Sequence, residues 1–391
     1  MPTQPILSAE LLQRCAQRAA GYDRENRFFF EDFEDLREAG YLLAAIPREF
    51  GGLGLTLSDI CQEQRRLARR SAATALGLNM HLTATGIAAD LWHNGDNSQV
   101  WVLEEAARGA VFAYAYSESG NDLEVIYSLS KAERVDGGYR FFGHRHFGSL
   151  TPVWTWLNTY GVDLANPDGP RIVHAVMPRD ASDYRIVETW DTLGMRATAS
   201  HDTILEGVFV PDRHVLRVRK PGFAGTDAFV LTIFGRFEPT IANIYIGLAE
   251  RARDLTIDRI KKKTSIADLT RSMAYHPGVQ HKIAEIVIEL EGIIAHADRI
   301  AADWTNGVDY GEMWPAKLVG AKYHCVEGAF RTVDLAMDAS GGRGMFKGDE
   351  LERLYRDARC GRFHPANAMT VHEVVGKSAL GVLGEAGPRW G

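Results

Sequence analysis

The chain has few cysteines, and they form no cluster. Its 391 residues include 4 cysteines, Cys15, Cys61, Cys325 and Cys360, which stand far apart in the sequence. Zinc sites need closely spaced ligands, and disulfide frameworks occur in small, cysteine-dense secreted domains. The sequence therefore predicts neither a metal site nor a disulfide framework. Reduced thiols, and with them a cytoplasmic protein, are expected.

Long apolar runs and blocks of one charge are also missing. No segment approaches the roughly 18 consecutive apolar residues of a spanning helix, and the N-terminus has no apolar core of signal-peptide length. The net charge is -7, and the longest run of like charge is Lys261–Lys263. We therefore expect neither a membrane nor a nucleic acid as a partner.

Helical periodicity is present at both ends of the chain. Apolar residues recur at helical spacing from about residue 8 to residue 110, and again from residue 227 onward. One apolar stripe covers Val279–Trp304, and a second long helix is predicted over about Met313–Ser340. Long helices joined by short loops are typical of an antiparallel bundle.

The middle of the chain changes to short aromatic and β-branched runs bounded by turn residues, which predict antiparallel strands from about Val111 to Arg219. Asp136-Gly137 is a strong hairpin signal. We therefore predict an α+β fold in three parts. These are an N-terminal helical domain over residues 1–110, a middle antiparallel β domain over 111–225 and a C-terminal antiparallel helical bundle over 226–391.

The segment Ser340–Gly381 combines a glycine loop, Gly341–Gly344, with an isolated histidine. His364 precedes Pro365 at a break between two helical segments. Because proline disfavours helical angles in the residue before it, this break is a candidate active-site position. The alternative is a plain turn between two helices, capped by Asn367.

Several strings, in their order along the chain, resemble those of the acyl-CoA dehydrogenase superfamily of flavoproteins. The resemblance covers nearly the whole chain. The strings are Gly51–Leu55, Tyr116–Asp122, Gly143–Ser149, Asp191–Ser200, Val208–Pro211, Gly341–Gly344 and Tyr355–Arg359. The resemblance implies the three-part fold above, FAD as the cofactor and a homo-oligomer, commonly a homotetramer built through the C-terminal bundle.

The resemblance also implies a set of flavin contacts. A flavin needs hydroxyls and backbone donors at its ring edge, flat apolar groups against the ring, and glycines near the pyrophosphate. In the family the hydroxyl at the position of Ser149 sits near flavin N5. We expect flavin contacts from Tyr116, Ser117, Phe147, Ser149, Trp190, Gly341, Gly342 and Gly344. Their structural alternatives are turn-forming serines and a core tryptophan.

Substrate contacts are expected from His81 and Arg196. His81 lies in a stretch of small residues that suits close helix packing. A partnered structural histidine is the alternative interpretation of that position.

The chain departs from the family pattern at the catalytic base. Family dehydrogenases usually carry a glutamate just after the Tyr-Arg-Asp-Ala-Arg string, where this chain has His364 and Pro365. Other members carry the base on the first bundle helix, and Glu238 stands one position from that place. One residue turns a side chain by about 100° around a helix, unless Pro239 marks a helix start. Glu238, His364 and Ser149 are the candidate catalytic residues.

Two enzymatic hypotheses stay open. The first is a dehydrogenase that oxidises a CH–CH bond of an acyl thioester, transfers hydride to FAD and passes electrons to an acceptor flavoprotein. The second is a two-component flavin-dependent monooxygenase, a branch that shares the string Phe147–Ser149. It would take reduced flavin, such as FMN, from a flavin reductase and use oxygen on an aromatic or amine substrate. Ser149 would then hydrogen-bond flavin N5, and His364, with His81, would deprotonate the substrate or stabilise the peroxide, a task suited to a histidine that titrates near neutral pH. A third hypothesis is a non-catalytic protein that retains the fold.

Overall fold

The computed structural model describes residues 5–222, 227–266 and 271–384. In these ranges a helical region is followed by a sheet and then by a second helical region. The first helices are α1 Ala9–Glu25, α2 Phe30–Glu38, α3 Leu57–Ala68, α4 Ala72–His93 and α5 Val100–Ala107. The later helices are α6 Ala228–Lys262, α7 Pro277–Thr305, α8 Trp314–Ser340, α9 Glu350–Cys360 and α10 Ala368–Leu380. None of these described helices is both long and apolar enough to cross a bilayer.

The described part of the middle region forms one sheet of eight strands. They are β1 Phe112–Tyr114, β2 Lys131–Val135, β3 Gly138–Gly148, β4 Trp156–Asp163, β5 Arg171–Pro178, β6 Tyr184–Val187, β7 His201–Pro211 and β8 Val215–Arg219. Their order is β6-β7-β3-β2-β4-β5-β8, with β1 beside β4. The pairs β1–β4 and β2–β4 are parallel, and the others are antiparallel. The α+β fold is confirmed, with a sheet that is mostly antiparallel.

The predicted hairpin joins β2 to β3. Val135 pairs with Gly138, so that Asp136 and Gly137 form a two-residue turn. Gly137 has φ +75°, a value that glycine reaches without the steric cost of a Cβ atom. The local sequence signal is sufficient here because the turn requires only these two residues.

The two long bundle helices begin and end close to their predicted positions. α7 buries Ile286, Leu290 and Ile293, which recur at helical spacing along one face. Val287, which the apolar stripe had included, is 39% exposed because it lies about 100° from Ile286 around the helix. α6 packs against α3, α4, α7 and α8, so it lies at the centre of both helical regions.

Pro239 does not mark a helix start, contrary to one reading of the sequence. It lies inside α6, which begins at Ala228 under the cap of Asp227, whose side chain accepts from the backbone of Phe229 and Val230. The side chain of Asn243 donates to the Pro239 carbonyl over 2.8 Å. Glu238 therefore sits at an interior position of a continuous helix.

Two of the family-like strings contact each other where the sheet meets the bundle. A Cβ atom on Gly194 would lie 2.6 Å from the backbone carbonyl of Arg356, so only glycine fits there without a shift. The Met195 amide donates to Asp357 over 2.6 Å, and Arg356 pairs with Asp23 of α1 over 2.6 Å. These contacts fix the sheet against α9 and α1.

Candidate active site

A cavity of about 340 Å³ lies where the sheet meets α4, α6 and the turn after α9. Its wall is mostly apolar and aromatic, with a few hydroxyl groups. Six of the residues predicted to contact flavin or to act in catalysis line it, namely Tyr116, Ser117, Phe147, Ser149, Trp190 and His364. A smaller cavity of about 110 Å³ adjoins it and shares Glu124, Phe234, Phe363 and Pro365. The fold therefore gathers residues from distant strings around one space.

Phe147 and Trp190 form an aromatic corner of the cavity wall. Their ring centroids are 5.9 Å apart, with the planes nearly perpendicular. Phe147 has φ +59° and lies in an irregular part of β3, between the pairs Arg145–Thr203 and Gly148–His201. Such a bulge redirects side chains, and here it leaves the Phe147 ring 57% exposed at the cavity.

Ser149 begins a chain of buried hydroxyl groups. Its Oγ lies 2.7 Å from Ser200 Oγ, which lies 2.7 Å from Thr198 Oγ1, and Thr198 donates to the Met195 carbonyl. A donor order from Ser149 to Ser200 to Thr198 leaves lone pairs of Ser149 facing the cavity. The aromatic corner and this hydroxyl edge supply the apolar contacts and the polar edge that a flavin ring requires.

His364 reaches the cavity from the turn between α9 and α10. Its ring Nε2 lies 2.8 Å from the Tyr245 hydroxyl, and its backbone is extended at ψ 144°. The contact with Tyr245 leaves the other ring nitrogen, Nδ1, for a further partner. Burial, and then the charge of Lys322, lowers the pKa of His364 to about 3. The expectation of a histidine that titrates near neutral pH is therefore wrong, because this ring stays neutral.

Glu238 lies behind the His364 turn and does not line the cavity. Its Oε1 accepts from the Ala366 amide over 3.1 Å. The buried Lys322 ammonium donates to the carbonyls of His364 and Ala366 over 2.8 and 3.0 Å. Burial raises the pKa of Glu238, while the Lys322 charge opposes that rise. The hydrogen bonds of Glu238 and Lys322 therefore hold the backbone of the turn that carries His364.

Glu124 is a cavity residue that the sequence analysis missed. It lines both cavities, and burial raises its pKa to about 7, while a hydrogen bond with the Ser117 hydroxyl acts in the opposite direction. Glu124 lies in the irregular connection between β1 and β2, where no periodicity indicates which side chains point inward. Its only sequence signal is closeness to the Tyr116–Asp122 string. It is the carboxyl group that titrates near neutral pH at this wall.

The other predicted site residues lie outside the cavity wall. His81 Nε2 lies 2.9 Å from the Leu42 carbonyl, its Nδ1 accepts from the Phe112 amide, and burial lowers its pKa to about 4. Both ring nitrogens are therefore hydrogen-bonded to backbone groups, which agrees with the alternative of a partnered structural histidine. Arg196 donates to the Thr192 carbonyl over 3.0 Å and pairs with Asp191 over 3.5 Å.

The glycine loop also lies apart from the cavity in this chain. Gly341 ends α8 with φ +73°, and a Cβ atom on Gly344 would lie 2.9 Å from the Met337 sulfur. Gly341 therefore serves as a helix end and Gly344 as a close packing contact. The contact of the three glycines with flavin stays a prediction.

Comparison with known proteins identifies related sequences over nearly the whole chain. Residues 9–117 match the family model of the acyl-CoA dehydrogenase N-terminal domain, and residues 228–364 match that of the C-terminal domain. YdbM of Bacillus subtilis (strain 168), named as an acyl-CoA dehydrogenase, is 28% identical over 353 residues, which are 89% of each chain. The amino sugar nitrososynthase DnmZ of Streptomyces peucetius is 29% identical and covers 92% of this chain and 88% of its own.

A solved structure extends this similarity to three dimensions. KijD3, in complex with FMN and dTDP-3-amino-2,3,6-trideoxy-4-keto-3-methyl-D-glucose, superposes with a TM-score of 0.86 at 26% identity. The match covers 97% of this chain and 95% of KijD3. Together with the two family models and the flavin-compatible cavity, these relatives show that the chain belongs to the acyl-CoA dehydrogenase superfamily, as a flavin-dependent oxidoreductase.

Proposed function

We propose that the protein is a flavin-dependent monooxygenase that uses reduced flavin and molecular oxygen to oxygenate a small neutral or amine substrate. The observation that carries this proposal is the position of the charged groups. Glu238, the candidate base of a dehydrogenase, accepts a hydrogen bond from the Ala366 amide and does not line the cavity. The neutral His364 lines the cavity instead.

The cavity residues have separate roles in this proposal. Phe147 and Trp190 would hold the flavin ring, and Ser149 would accept a hydrogen bond from its edge. A bound reduced flavin would supply the two electrons that activate oxygen. The neutral His364, fixed by Tyr245, would orient the substrate through Nδ1. Glu124, with a pKa of about 7, would accept a proton from the substrate or bind an amine.

The charge of the two cavities supports a neutral or amine substrate. Glu124 is the one charged residue among the described residues of the larger cavity, and Asp122, Glu124 and Asp227 line the smaller one. No described lysine or arginine lines either cavity. These walls suit a neutral or cationic part of the substrate, and a phosphate of the flavin or of the substrate would need cationic partners outside them. The amino sugar nitrososynthase among the relatives is consistent with an amine substrate.

Acyl thioester oxidation is the second candidate, because the chain is 28% identical to a protein named as an acyl-CoA dehydrogenase. In that case Glu124, which faces the cavity, would be the base in place of Glu238. The two candidates differ in the flavin state that they bind and in their need for oxygen. A dehydrogenase keeps FAD bound and is reduced by its substrate without oxygen.

One experiment separates the two candidates. The purified chain is mixed with FMN, NADH, a flavin reductase and ¹⁸O₂ in the presence of a panel of aromatic compounds and primary amines. Incorporation of ¹⁸O, detected by mass spectrometry, is the expected result. In parallel, the chain is loaded with FAD and mixed anaerobically with acyl-CoA thioesters. Bleaching of FAD without ¹⁸O incorporation in the first assay would replace the monooxygenase with the dehydrogenase.

A further inference from the structure

Two histidines and an aspartate converge on the sheet, outside both cavities. His144 Nε2 lies 2.8 Å from Asp202 Oδ2, and His146 Nδ1 lies 3.0 Å from the same oxygen. One potential ligand atom from each residue lies within 4.8 Å of the other two. Among the described residues, these three are the histidine, cysteine, aspartate or glutamate side chains that lie close enough together to hold one metal ion.

The irregular part of β3 explains why the three side chains meet. His144 and His146 are two residues apart on one strand, so they project on the same face. Between the pairs Arg145–Thr203 and Gly148–His201, β3 has two residues opposite the single Asp202 of β7. This bulge turns His146 toward Asp202. The cluster is therefore set by backbone hydrogen bonds in neighbouring strands.

We propose that His144, His146 and Asp202 form a site for a divalent transition-metal ion, with Zn²⁺ as the simplest occupant. Two imidazoles and one carboxylate are a ligand set typical of zinc and other first-row metals. Ligand atoms around tetrahedral zinc are roughly 3.3 Å apart, as its bond lengths of about 2.0–2.2 Å require. The distances from Asp202 Oδ2 to His144 Nε2 and to His146 Nδ1, 2.8 and 3.0 Å, would have to increase by only a few tenths of an ångström.

Access and neighbouring charge fit such a site. The side chains of His144 and His146 are 48% and 24% exposed, whereas that of Asp202 is 11% exposed. An ion could therefore enter from solvent, and water would complete its coordination. An ion held here would join β3 to β7 directly beside Phe147, which lines the larger cavity. This site would thus stabilise the bulge that places Phe147.

Calorimetric titration of the full, untagged chain with ZnCl₂ tests the site. One saturable ion per chain is expected, together with a higher melting temperature. His146→Gln and Asp202→Asn should each weaken zinc affinity by at least about tenfold, since each removes one of three ligands. Circular dichroism checks that both variants are folded, and Asp202→Asn preserves side-chain shape.

A second histidine pair supplies the matched control. His296 and His324 of α7 and α8 approach within 3.0 Å through their Nδ1 atoms, but the structure places no carboxylate with them in a three-residue cluster. His296→Gln should leave the proposed site intact. No saturable binding by the wild type would overturn the proposal, as would binding lost in His296→Gln but kept in His146→Gln and Asp202→Asn. Binding of two ions would support the proposal if one is lost in His146→Gln and Asp202→Asn and the other is lost in His296→Gln.

Discussion

Glu238 is a buried and Glu124 a half-buried carboxyl group near the same turn, and the two have different surroundings. Burial raises the pKa of each. Glu238 is held by the Ala366 amide and the Lys322 charge, and it faces away from the cavity. Glu124 faces both cavities, and the Ser117 hydroxyl acts to lower its pKa against the effect of burial. A raised pKa marks both residues, but only Glu124 lines the cavities, which is why the proposed function gives proton transfer to Glu124.

Glu124→Gln is expected to have the largest effect on activity. Removing a general acid or base typically lowers the rate by about 10²- to 10⁴-fold, so kcat/KM for the substrate found in the ¹⁸O assay should fall by that range. The inflection near pH 7 in the wild-type profile should disappear. Asp122→Asn, which alters another acidic residue of the smaller cavity, is the control and should lose less than tenfold. An unchanged pH profile in Glu124→Gln would assign the proton transfer elsewhere.

Glu238→Gln should act mainly on stability. It removes the negative charge that acts on the buried Lys322 ammonium, and loss of a compensating group for a buried polar group costs about 1–3 kcal/mol in the free energy of unfolding. Urea denaturation measures this loss.

The double variant Glu238→Gln/Lys322→Met isolates the cause. In the Lys322→Met background, which already lacks the ammonium, the further change Glu238→Gln should cost much less stability than it does in the wild type. If Glu238→Gln cost as much in both backgrounds, the carboxylate would not act through the Lys322 charge.

The raised pKa of Glu124 should make the stability of the wild type fall as the pH rises. The folded pKa of Glu124, about 7, exceeds its ordinary value of 4.5. Its contribution to stability is therefore fully present below pH 4.5 and is lost as the pH rises to about 7. The stability of Glu124→Gln relative to wild type should increase by up to about 1.4 kcal/mol per pH unit in this window. Urea titrations at several pH values test this, and a constant difference would contradict the raised pKa.

Ser149→Ala should give the smallest change in stability. Loss of one hydrogen bond to Ser200 costs about 1 kcal/mol. In the monooxygenase assay we expect a larger share of the consumed NADH to appear as hydrogen peroxide, because the flavin edge loses its acceptor. Thr192→Val, which also removes a hydroxyl at the cavity but lies outside the hydroxyl chain, is the control. Equal peroxide release by both variants would argue against a specific role of Ser149.

The sequence predicted the elements of the fold well where the signals were local. The Asp136-Gly137 hairpin and the long helices α7 and α8 follow from turn chemistry and apolar period within one segment. Six of the predicted site residues also line the cavity wall, four of them within the family-like strings. The prediction was weaker where a role depends on neighbours distant in sequence. Glu238 was considered for its position along a helix, but its role depends on Lys322 and Ala366, which lie far along the chain.

By itself, the sequence determined the three-part α+β architecture, the superfamily and the strings that surround a flavin-compatible cavity. The spacing of apolar residues, the turn residues and the order of the strings are sufficient for these conclusions, because each signal lies in residues that are close together in the sequence. Only the tertiary structure decided that His364 stays neutral, that Glu124 faces the cavity and that His144, His146 and Asp202 meet on the sheet. Burial and side-chain direction arise when distant segments pack together, and no local pattern encodes them.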